Sequence, residues 1–86
     1  MSARLLGWAW DQPVSPQAKL ALLALADGGE NVAAVARRTG LTTTQAIDAV
    51  TELSLHMLVL WRHRRPYFRL GEAGFVDQDH RPIDEG

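Results

Sequence analysis

The sequence has no cysteine among its 86 residues. That absence excludes disulfide staples and every zinc module built on thiolates. It also lacks a long hydrophobic run: the longest, Leu20 to Ala26, falls far short of the ~20 apolar residues that a membrane helix needs. The apolar stretch from Leu5 to Trp10 follows Arg4 but meets Asp11 without a small-residue cleavage site, so it does not read as a signal peptide. A cytoplasmic protein with no membrane partner is expected. The chain is no polycation, with a net charge of −1. Nor is it long: a domain of this size buries roughly 60–65% of its unfolded surface, enough for one core and too little for a deep substrate cavity.

Signatures of catalysis are missing as well. Ser15 is not set in a Gly-x-Ser-x-Gly elbow, and Gly28-Gly29 lacks the Lys-Ser/Thr of a phosphate-binding loop. His56, His63 and His80 have no companions at metal-ligand spacing. Asp48 and Glu52 share a helical face as paired acids do in some hydrolases, but on an exposed helix they read as solvated charges. No enzyme, metal or cofactor is expected.

What is present is the composition of an ordinary globule, 47% hydrophobic and 22% charged. Trp8 and Trp10 fall on one side of a segment read as extended, covering an edge of the core. Ser15-Pro16 is a hydroxyl N-cap followed by proline at the first helical position, predicting a first helix to about Ala26 that stops at Asp27-Gly28-Gly29. Its leucines (Leu20, Leu22, Leu23, Leu25) and four alanines make it central to the core. Asn31 caps a second, short helix through Arg38, with Val32, Val35 and Ala36 on one face and Gly40 closing it. Thr42 and Gln45 form a capping box for a third helix to about His56, with Ala46, Ala49, Val50 and Leu53 as its apolar stripe. Leu58 to Trp61 is a β-prone run, Arg64-Arg65-Pro66 a turn, and Tyr67 to Leu70 a second strand whose Phe68 and Leu70 face the core. The expected fold is thus α+β and mainly α: a winged helix-turn-helix of three helices plus a C-terminal hairpin wing over residues 1–70. Residues 71–86 read as an acidic, loose tail with Phe75 and Val76 tucked back.

The segments Trp8-Ala9-Trp10, Pro13 to Leu20, Leu23 to Asp27, Val35 to Thr42 and Ala49 to Leu53 resemble the winged helix-turn-helix of phage and mobile-element replication and regulatory proteins. The resemblance spans about residues 8–70, and Ala36-Arg37-Arg38-Thr39-Gly40-Leu41-Thr42 is its most specific part. It implies that the third helix lies in the major groove of double-stranded DNA while the hairpin touches the flanking backbone or minor groove. Relatives of this kind usually place basic residues in the first two turns of that helix; here the outward positions are Thr43, Thr44, Ile47, Asp48 and Thr51. They also tend to place glycine where the third helix meets the wing, a position held here by Met57.

Charge distribution singles out the wing. Residues 61–70 hold Arg62, Arg64, Arg65 and Arg69 with no acid, interleaved with Trp61, His63 and Tyr67, whereas residues 71–86 hold five acids and Arg81. Each arginine can fork onto a phosphate. The expected DNA contacts are therefore Arg62, Arg64, Arg65 and Arg69, with Arg37 and Arg38 on the backbone and Thr43, Thr44, Gln45 and Ile47 in the groove. Arg37 and Arg38 alternatively complement the helix dipole and pair with nearby acids. So small a domain covers few base pairs, which makes a homodimer on a palindromic site the natural route to specificity. This reading is a phage-type DNA-binding regulator or a replication or recombination accessory. The alternative is a winged helix turned to protein binding through Ile47, Leu55 and Met57. That would suit an oligomerisation adaptor or a phage-encoded inhibitor of the anti-CRISPR type, with a protein partner from host or phage.

Overall fold

The computed structural model describes residues 3–62, 65–69, 74–79, 81 and 82. Over these residues the fold is α+β and mainly helical, as the sequence implies, but with four helices and a three-stranded antiparallel sheet. The additional helix is α1, Ala3–Trp10, where an extended segment was expected. Its period explains the difference: Leu5 and Ala9, four apart, are fully buried, with Leu6 and Trp8 half-buried beside them. The two indoles consequently diverge. Trp8 meets Phe68 edge-on at a centroid distance of 6.2 Å, whereas Trp10 is 62% exposed. Lys19 Nζ donates to the Trp10 carbonyl at 2.7 Å, and Gln12 Nε2 donates at 2.8 Å to the Trp8 carbonyl, which also accepts from the Asp11 N–H at 3.1 Å, so these carbonyls at the end of α1 are satisfied.

Helix α2, Pro16–Ala26, starts as expected, with the Ser15 hydroxyl accepting from the Ala18 N–H. Ala18, Ala21, Ala24 and Ala26 are all buried with Leu22 and Leu25, so small residues let neighbouring helices approach from several sides. Leu20 is a correction: it is 47% exposed and lies outside the core. The helix closes in a Schellman arrangement, Gly29 N–H to Ala24 O at 2.9 Å and Gly28 N–H to Leu25 O at 3.2 Å. A Cβ on Gly29 would lie 2.9 Å from the Ala24 carbonyl oxygen, so the chain needs glycine there for close approach.

Helix α3, Val32–Thr39, is capped by Asn31, whose Oδ1 accepts from the Ala34 N–H at 2.8 Å. Gly40 ends it at φ 78°, and Thr42 begins α4, Thr43–Leu55, with both bonds of the capping box present. The buried residues of α4 are Ala46, Ala49, Val50 and Leu53, the stripe its spacing predicts. Its C-terminal end is a second Schellman closure, Leu58 N–H to Leu53 O and Met57 N–H to Ser54 O, both 3.0 Å. Here the left-handed residue is Met57, at φ 58°. Substituting Met57→Gly is expected to stabilise the protein by about 1 kcal/mol, since glycine removes the Cβ–carbonyl conflict of that conformation. Chemical denaturation would measure it as a higher midpoint at unchanged slope.

Strands β1, Val59–Arg62, and β2, Arg65–Arg69, pair antiparallel with Arg62 opposite Arg65, and β3, Phe75–Val76, adds to β2. The turn expected at Arg64-Arg65-Pro66 is therefore misplaced, because Arg65 and Pro66 belong to β2. Proline is tolerated in this central strand by its register. Arg69 N–H donates to Leu58 O, and alternation along an antiparallel ladder makes Trp61↔Pro66 a non-hydrogen-bonded pair. The missing N–H thus points toward the β3 side, where the described pairing has already ended at Phe68↔Val76. Val59, Pro66 and Phe68 are the buried residues of the inner face, and Val59 and Phe68 join the core formed with the helices.

Phe75 and Val76 return to the sheet as a strand, Val76 on the inner face beside Phe68 as expected and Phe75 on the outer one beside Arg69, and the segment beyond them is more organised than a loose tail. Val76 bridges Pro82, and Asp77 Oδ1 accepts from the N–H groups of Asp79 and Arg81. Gln78 Nε2 then donates to Leu25 O at 2.6 Å, joining this segment to the end of α2. Leu70, expected in the core, lies outside the described residues.

Candidate nucleic-acid interface

Helix α4 is buried along one stripe only. Thr43, Thr44, Gln45, Ile47, Asp48 and Thr51 are all exposed, so the face expected to meet a partner is free within the chain. Its polar groups are partly committed. Gln45 Oε1 accepts from the Thr42 N–H at 3.0 Å, and the Gln45 carbonyl accepts from Gln17 Nε2 at 2.9 Å. Gln45 therefore keeps its amide N–H groups for a partner, while its oxygen serves the cap. The Thr51 hydroxyl donates to Ile47 O at 2.8 Å.

Glu52, read from the sequence as a solvated charge, is a correction. It accepts from both the Ser15 N–H (3.0 Å) and the Ser15 hydroxyl (2.9 Å), fixing the start of α2 to the side of α4. The spacing within α4 offered no signal for this contact, because its partner is 37 residues away. The Ser15 backbone bond chiefly, then the Ser15 hydroxyl, hold the Glu52 carboxyl below its ordinary pKa; desolvation opposes them, and the nearby His56 adds a lesser lowering effect. A lowered pKa means that Glu52 contributes stability above the ordinary carboxylate range and loses it as pH falls through the lowered value. The melting-temperature gap between the protein and Glu52→Gln is accordingly expected to be fully open above the ordinary carboxylate range and to close as pH falls through the lowered pKa. A pH series of thermal melts checks this.

The arginines divide into two groups. In the last turn of α3, Arg37 is exposed, while Arg38 pairs with Asp27 at 2.9 Å and also donates to the Asp27 carbonyl at 3.1 Å. For Arg38 the structural role foreseen as the alternative is the one observed. On the hairpin, Arg65 and Arg69 are exposed and Arg62 is half-buried, and none has a carboxylate partner among the described residues. Arg64 lies outside the described residues. Arg65 borders a polar cleft that also includes Glu30, Asp77 and Asp79, so acids stand near one side of the hairpin. A second cleft, lined by Glu30, Asn31, Val32 and Trp61, puts the hairpin beside the start of α3.

Apolar exposure is the other feature of this surface. Ile47, Leu55 and Met57 are 49%, 79% and 54% exposed, in keeping with the sequence reading. A second apolar area escaped it: Trp10 and Leu20 line a groove with Leu6, Leu23 and Ala24, ending at the Arg38–Asp27 pair. The signal was available in α2, where leucines and alanines on every side exceed what one core-facing stripe can use. Among the described residues no group of three or more potential metal ligands occurs, and no helix is long and apolar enough to cross a membrane. No family model matches this chain, and neither a curated protein nor a solved structure matches it.

Proposed function

We propose that this protein is a winged helix-turn-helix DNA-binding protein, acting as a small regulator or as a replication or recombination accessory. The reading rests on one arrangement: a capped helix, α4, exposed along its whole outer face, leads directly into an arginine hairpin with no internal carboxylate partners among the described residues. In this reading α3 and α4 are the helix-turn-helix, α1 is an N-terminal addition to it, and the hairpin extended by β3 is the wing. The arginines supply most of the affinity through phosphate, because Thr43, Thr44 and Ile47 offer only weak contacts in the groove, such as to thymine methyl groups. Asp48 repels phosphate and limits how deeply α4 can sit, except opposite a cytosine amine. A two-fold dimer would double the contact.

The test is a mobility shift on duplex DNA across salt concentrations. Neutralising ~4 phosphates gives an expected log–log salt slope near −3.6. Arg64→Ala with Arg65→Ala is expected to abolish the shift at salt levels where the parent still binds. Failure of the parent to bind duplex DNA even at low salt would sink the proposal. A protein-binding module is the second reading, favoured by the exposure of Ile47, Leu55 and Met57. It gains if Asp48→Lys fails to improve DNA binding while Leu55→Ser disrupts a complex with a protein partner.

A further inference from the structure

The pairing register sorts the strand residues onto two faces. Val59, Trp61, Pro66, Phe68 and Val76 share the inner one, and Leu60, Arg62, Arg65, Tyr67, Arg69 and Phe75 share the outer one. The outer set joins three arginines, two aromatic rings and a leucine, and no acid occurs in any of the three strands. Leu60 stands opposite Tyr67 and Phe75 opposite Arg69, which intermixes apolar area and positive charge. Tyr67 and Phe75 are diagonal neighbours on adjacent strands, ~7–8 Å apart by that relation. Arg62 stands directly opposite Arg65, a like-charge pair that weakens a ladder. A bound polyanion would relieve that repulsion.

We propose that this outer face is a stacking platform for single-stranded nucleic acid, with bases on Tyr67 and Phe75 and phosphates on Arg62, Arg65 and Arg69. With no carboxylate paired to Arg62, Arg65 or Arg69 among the described residues, the charge of this face calls for a polyanion. The acids of the cleft beside Arg65 (Glu30, Asp77 and Asp79) bound it on one side, and the aromatic rings select among polyanions. In a duplex the base faces are hidden in the stack, so Tyr67 and Phe75 can be used only by unpaired bases. The proposal goes beyond the duplex reading, which needs the arginine charge but neither ring.

Fluorescence anisotropy with labelled oligothymidylate, oligouridylate and a duplex of the same length tests it at low salt. The protein is expected to bind at least one single strand more tightly than the duplex, and the two oligomers tell DNA from RNA. Tyr67→Leu keeps apolar bulk but removes the ring, and single-strand affinity is expected to fall about 5- to 150-fold. Tyr67→Phe is expected to retain it, and duplex affinity is expected to stay unchanged in both variants. If Tyr67→Leu does not fold by circular dichroism, Phe75→Leu is expected to give the same selective fall. No single-strand binding by the parent, no loss in the leucine variant, or equal loss for single strand and duplex would each overturn the platform. If the duplex fails to bind while single strands respond to Tyr67→Leu, the duplex reading alone falls.

Discussion

Phe68→Ala is expected to destabilise the protein by about 3–5 kcal/mol, the usual cost of emptying a buried phenylalanine site. Phe68 is fully buried, the largest side chain in the core, and it joins the two halves of the fold: it lies on central strand β2 and meets Trp8 of α1. A chain of this length has about 4–13 kcal/mol of stability in all, so the substitution removes much or all of it. In a thermal melt the shift should exceed about 12 °C, since each kcal/mol moves a domain of this size by about 4–8 °C. Leu60→Ala, on the outer face of the same sheet, is the control and should move the melt little. A Phe68→Ala protein melting close to its parent would show that the sheet is not packed on the helices as described.

The second large effect concerns one chemical change at two positions, with opposite signs. Gly29→Ala is expected to cost about 1–3 kcal/mol, the range for forcing extra volume into a packed site. The new methyl would meet a backbone oxygen, that of Ala24, which already accepts the Gly29 N–H and so cannot move without loosening the end of α2. Gly7→Ala, in the exposed middle of α1 with nothing within 4 Å of its added methyl, is expected to stabilise by about 0.5–1 kcal/mol. Paired denaturation curves decide it. Equal effects at the two positions would mean that local backbone freedom, rather than the close approach at Gly29, governs both.

Caps and stripes were the most legible features of the sequence. Ser15, Asn31 and the Thr42–Gln45 pair start their helices where the spacing places them, and the buried stripe of α4 is the one its period gives. These are local rules, settled within one helical turn. The departures come from competition between signals or from long range. Trp8-Ala9-Trp10 has the alternation of a strand, but the four-residue step from Leu5 to Ala9 prevails because it buries both residues fully. Pro66 looks like a turn residue, yet the register turns its missing donor away from β1. For the interface, the exposure of Thr43, Thr44 and Ile47 was legible, and so was an acid partner for Arg38 in kind, whereas the identity of that acid and the use of Glu52 as an internal tie were not. The partners of Glu52 and Arg38, Ser15 and Asp27, belong to other elements. The outer sheet face was hidden for the same reason, since Leu60, Tyr67 and Phe75 gather only once three strands are in register.

The bond from Gln78 to the Leu25 carbonyl spans 53 residues, whereas the helix caps and the β1–β2 hairpin close over short stretches of chain. Closing a longer loop carries a larger entropic cost, so local structure has the kinetic advantage. The helices and hairpin can therefore assemble first, with β3 and Gln78 docking onto a nearly finished body. Contacts made after the folding barrier hold back unfolding without hastening folding. Gln78→Ala is thus expected to speed unfolding more than it slows folding, which stopped-flow measurements of both rates would check.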